Sequence, residues 1–71
     1  MLPLSMAGVG STTTVGSIKG KTEVQRFLES LGFVSGATVT IVSDRGGDLI
    51  VSVKDARVAL DRSMANKIMV E

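Results

Sequence analysis

Seven carboxylates, Glu23, Glu29, Asp44, Asp48, Asp55, Asp61 and Glu71, are the only acidic side chains this sequence offers to hold a metal ion or carry a proton. It contains no His and no Cys. The usual proton carrier near neutral pH, the commonest metal ligand, and any thiolate or disulfide are therefore absent. The carboxylates fall singly along the chain. Asp44 and Asp48 flank a Gly-Gly turn and could meet across it, but a solvated hairpin tip is the ordinary setting for Asp. Met6, Met64 and Met69 are soft thioethers, better suited to filling cores or interfaces than to holding hard divalent ions. No metal site and no cofactor is expected.

Nucleotide and nucleophile chemistry fare no better. "GKT" at 20–22 has the ending of a phosphate-binding loop, but that motif needs a Gly at position 15, where Val15 stands, and Gly16 is one residue too close. Ser and Thr are plentiful, yet without His an activated hydroxyl would need a buried Lys or an N-terminal amine. Lys19, Lys21, Lys54 and Lys67 all lie in polar or turn contexts. No catalytic residue is assigned, and the expectation is a protein that is not an enzyme.

The elements that must position any working surface are better signed. At 71 residues the chain is expected to form a single domain, 1–71, burying roughly 60% of its unfolded surface. Apolar residues at 44% and charged residues at 21% favour a globular fold over disorder. A net charge of +1 does not advertise nucleic acid or acidic lipid. No stretch approaches the ~20 apolar residues of a membrane span, so no membrane insertion is expected. The opening "MLPLSMAGVG" does not read as a signal peptide, which makes the cytoplasm the expected location.

Thr22 and Gln25 have capping-box spacing, and Val24, Phe27, Leu28 and Leu31 then recur as one helical stripe. A helix over about 23–31 follows, capped by Thr22 and ended by Gly32, with Phe33 folding back onto Leu28. Both aromatics, Phe27 and Phe33, are expected in the core. Elsewhere the period is two. "STTTVGSIK", with a bulge at Gly16, then "ATVTIVS", "LIVSVK", "RVALD" and "IMV" count as five strands, with turns at "DRGGD" and Asp55-Ala56. Asp61 is placed to cap a short helical turn near 62–66. Five short strands bury their inner face best as a small β-barrel, with the helix covering one end.

The residues also resemble a known family. "LPLSMA", "GSTTTVGSIKG", the helix ending "LESLGF", the "VSG" turn, "VTIVSDRGGDLIVSV" and above all "RVALDRSMANKIMV" are together similar to FeoA, the small cytoplasmic component of bacterial ferrous iron transport. One departure is Ser35, where members often carry Pro. The resemblance implies an SH3-like barrel and a role as an adaptor. The partner it implies is the membrane ferrous iron transporter, through that protein's cytosolic GTPase domain.

For such docking the candidates are Leu4 and Met6 in an apolar segment without helix or strand period, Arg26 on the polar face of the helix, and Arg45 at a turn. Two other readings stand beside this one. The same barrel occurs as a C-terminal module of metal-dependent transcriptional regulators. Small barrels also bind RNA, through exposed aromatics and a basic face.

Overall fold

A computed structural model describes all residues, Met1–Glu71. Strand β1 is Leu2–Pro3, and a 3-10 turn, Leu4–Met6, follows it directly. Next come β2 (Thr12–Ile18), helix α1 (Thr22–Ser30), β3 (Thr38–Arg45), β4 (Asp48–Val53), β5 (Ala56–Leu60), the short helix α2 (Arg62–Ala65) and β6 (Ile68–Val70). The strands form one antiparallel sheet in the order β1-β6-β2-β3-β4-β5.

Two expectations about the sheet are corrected here. It has six strands where five were read, because Leu2–Pro3 pairs with Val70 and Met69 of β6. Two residues are too few to show a period, so β1 leaves no pattern in the sequence. Nor does the ladder close into a barrel: β1 and β5 end the sheet and do not pair with each other. The chain is mainly β nonetheless, and its core is one cluster.

That cluster follows the period-two reading. Val39 and Ile41 from β3, Leu49, Val51 and Val53 from β4, and Leu60 from β5 are buried, with Val15, Ile68 and Val70 beside them. Thr13 is the one buried polar residue, and its hydroxyl donates to the Val39 carbonyl at 3.0 Å. In β2 the register against β6 shifts between Val15 and Ser17, which puts the bulge at Gly16. A second bulge, between Ile41 and Ser43, has no Gly to mark it.

Helix α1 ends as a Schellman motif. The Gly32 N–H donates to the Glu29 carbonyl at 3.0 Å, the Phe33 N–H to the Leu28 carbonyl at 3.1 Å, and Gly32 has φ 110°. Leu28 and Phe33 both lie fully buried. The helix start differs from the capping box. Lys21 holds the cap position with extended backbone and no side-chain bond, and Thr22 is already helical. Gln25 does reach back, but its amide donates to the Gly20 carbonyl at 3.0 Å.

Phe27 also departs from expectation, standing 53% exposed. Successive residues lie about 100° apart on a helix. With Leu28 facing the core, Phe27 is carried to the rim of the stripe, while Val24 and Leu31 flank Leu28 and pack against the cluster.

Candidate docking surface

The β3–β4 hairpin turns through Gly46 and Gly47, both at positive φ, between the paired residues Arg45 and Asp48. The Asp44 carboxylate accepts from the Gly47 N–H at 2.8 Å, so one of the two acids that might have gripped a cation fastens the turn. Arg62 reaches across from α2 and donates to the Gly46 carbonyl at 3.1 Å. Its guanidinium lies so close over Gly47 that a Cβ there would collide with it. Arg45 is therefore displayed, exposed, on a hairpin pinned at two points. Nothing in the sequence signals the Arg62 bridge, because its partner is a backbone carbonyl sixteen residues away.

The Asp61 carboxylate accepts from the Met64 N–H at 2.8 Å and caps α2. No group of three or more His, Cys, Asp or Glu side chains comes together to hold a metal ion. Arg26 is exposed on α1 beside Phe27.

The N-terminal segment divides sharply. Leu4 is fully buried within the core cluster, whereas Met6, two residues on, is 74% exposed. Leu4 is therefore removed from the docking candidates: the 3-10 turn directs it inward, where it replaces solvent contact with packing. Leu2, Val9 and Met1 are exposed along with Met6, and the Met1 thioether rests over the bulge at Gly16. The sequence reading missed Val9 and Phe27 as surface residues. A Val within "AGVGS", flanked by two Gly, carries no neighbour to bury it, and that was the available signal.

Two shallow grooves complete the surface. One, of about 440 Å³, is polar and lined by Thr38, Thr40, Ser52, Lys54 and Asp55. The other, of about 270 Å³, lies between the β3–β4 hairpin and the end of β5, with Leu49, Ile50, Ala59 and Leu60 in its wall.

Known proteins resemble this arrangement throughout its length. Residues 2–71 match the FeoA domain. A relative from Methanocaldococcus jannaschii, provisionally named Fe(2+) transport protein A, is 32% identical over all of this chain and 87% of its own. Among solved structures, an iron uptake regulatory protein (FeoA) superposes with a TM-score of 0.90 at 33% identity, over 99% of this chain and 93% of that one. The zinc complex of FeoA from Stenotrophomonas maltophilia, described as a prokaryotic SH3 domain protein, gives 0.88 at 30% identity, over 100% and 91%. A manganese-dependent transcriptional repressor contains the same fold, with a TM-score of 0.86 at 25% identity, over 96% of this chain but only 39% of its own. The family match over residues 2–71, with a relative 32% identical over the whole chain, shows that this chain belongs to the FeoA family.

Proposed function

We propose that this protein is a non-enzymatic adaptor of ferrous iron transport, docking on the cytosolic GTPase domain of the membrane iron transporter. The observation that carries the reading is the exposure of Met6, Val9 and Phe27 on a chain matched to FeoA over residues 2–71. Exposed apolar side chains of this size are what a partner surface would cover. Arg26, next to Phe27 in α1, and Arg45 on its braced hairpin are exposed cations available for polar contacts. The relatives' names, an Fe(2+) transport protein and an iron uptake regulatory protein, support the transport role. No helix is long and apolar enough to cross a membrane. Its place in this reading is the cytoplasm, where the partner's GTPase domain lies.

Likeness to the manganese-dependent repressor supports a shared module and fits the alternative of a regulator-like role less well, since this chain spans only 39% of that protein. The test is the affinity of the chain for the transporter's isolated cytosolic domain, by calorimetry, for wild type, Met6→Ala and Phe27→Ala. Each substitution should weaken binding by about 1–2 kcal/mol with the fold intact. Wild-type affinity in both variants would move the interface to the Arg45 hairpin, and no binding by wild type would remove the proposal.

A further inference from the structure

The two edges of the sheet are unlike. β1 is two residues long and half of it is Pro3, which has no N–H to offer. Short length and Pro are devices that blunt an edge against pairing with another chain. β5 has neither. It runs for five residues, Ala56–Leu60, with no Pro and with unbroken register against β4.

The register also says which backbone groups of β5 are free. A two-residue turn, Lys54-Asp55, joins Val53 to its partner Ala56. The pair closing such a hairpin exchanges both hydrogen bonds, and inward and outward residues then alternate. Ala56, Val58 and Leu60 thus bond to β4, while the N–H and C=O groups of Arg57 and Ala59 point away from the sheet. None of the backbone bonds made in turns and loops involves residues 56–60. Asp61 continues the extended backbone, at φ −74° and ψ 167°, before α2 begins. Arg57, Ala59 and Asp61 are all exposed.

We propose that this edge pairs with the same edge of a second copy, antiparallel and centred on Ala59. Only residues whose backbone groups point outward can sit in hydrogen-bonded opposition, which leaves few registers. Centring on Arg57 sets two guanidinium groups face to face, which like charges oppose. Centring on Val58 sets each Arg57 against Ala59, with nothing for its charge. Centring on Ala59 sets each Arg57 directly opposite Asp61 of the other copy, with the small Ala59 side chains meeting at the two-fold axis. Two Ala59–Ala59 bonds result, and each Arg57 carbonyl receives the Asp61 N–H of the other copy. Asp61 uses one carboxylate oxygen to cap α2 and has the other free for Arg57. The interface is self-complementary in both backbone and charge, as a two-fold contact requires. Its small extent makes it a weak, concentration-dependent dimer.

Sedimentation velocity of the full chain from micromolar to millimolar concentration tests this. The dimer fraction should rise with concentration and fall with added salt. Ala59→Pro removes an outward N–H that β4 does not use, and Arg57→Glu sets acid against acid. Each should weaken association by about tenfold or more, since the two-fold axis doubles every change. Arg57→Lys should retain it. Thermal melting of each variant separates lost association from lost folding. Amide exchange at Ala59 and Asp61 should slow as concentration rises. A monomer at every concentration overturns the proposal, including the case in which the edge accepts only a foreign strand. So does a dimer indifferent to both Ala59→Pro and Arg57→Glu, or one whose new amide protection lies outside residues 57–61.

Discussion

Gly32 shows how much one position can be asked to do. Its φ of 110° is one that side-chain-bearing residues rarely adopt, and it must be held for Phe33 to turn back into the core. A Cβ at this position would sit 2.8 Å from Lys54 Cγ and 3.4 Å from Val53 Cγ2. Two separate penalties therefore act, a backbone one and a steric one. Gly32→Val should cost more than about 1 kcal/mol, seen as a lower melting temperature. Gly32→Ala divides the two terms: in a Lys54→Gly background its cost should shrink, because the closest steric contact is gone while the backbone part remains. An equal cost in both backgrounds would show that the Lys54 stem yields freely. The helix end was readable at Gly32 because the apolar stripe stops at Leu31. The neighbouring turn was read one residue late, at Asp55-Ala56. Its true central residues, Lys54 and Asp55, take φ of 53° and 62° although neither is Gly. Lys is not a residue that announces a left-handed turn.

At the scale of elements, α1 separates what a periodic pattern can and cannot say. Four apolar residues fall on one stripe, yet only Leu28 is fully buried, and Phe27 is half in solvent. A nine-residue helix laid on a small sheet offers a narrow contact strip, and the stripe is wider than the strip. Leu28→Ala should then cost about 2–5 kcal/mol, whereas Phe27→Ala should cost about 1 kcal/mol or less, both by thermal or urea unfolding. A larger loss at Phe27 than at Leu28 would mean that the helix is rotated from the orientation described. Strands were legible by the same logic wherever one face is buried, as in β3 and β4. The bulge at Gly16 was legible because Gly marks it, and the one between Ile41 and Ser43 was not.

For the whole molecule, the decisive feature is that both chain ends enter one core. β1 pairs with β6, Leu2 opposite Val70, and the 3-10 turn then sets Leu4 in the buried cluster that also holds Val15, Leu28, Phe33 and Ile68. Leu4 and Met6 looked alike in sequence, an apolar pair with no period to tell them apart, and only the paired strand ahead of them decides which points inward. The family was legible through resemblance and not through any reactive cluster; the carboxylates of Asp44 and Asp61 each accept a backbone N–H. The division between Leu4 and Met6 yields a prediction that belongs to the molecule as a unit. A small domain has a margin of about 5–15 kcal/mol, and Leu→Ala in a closed core costs about 3 kcal/mol. Leu4→Ala should therefore lower the melting temperature by more than about 10 °C, with the strands of both sheet ends lost in one transition. Met6→Ala should melt with wild type. In binding assays Leu4→Ala should lose affinity only in proportion to its unfolded fraction, so that cooling below the transition restores it, whereas no change of temperature should restore Met6→Ala. If Leu4→Ala instead melts like wild type and binds weakly when fully folded, the N-terminal turn presents Leu4 outward and the whole segment is the docking surface.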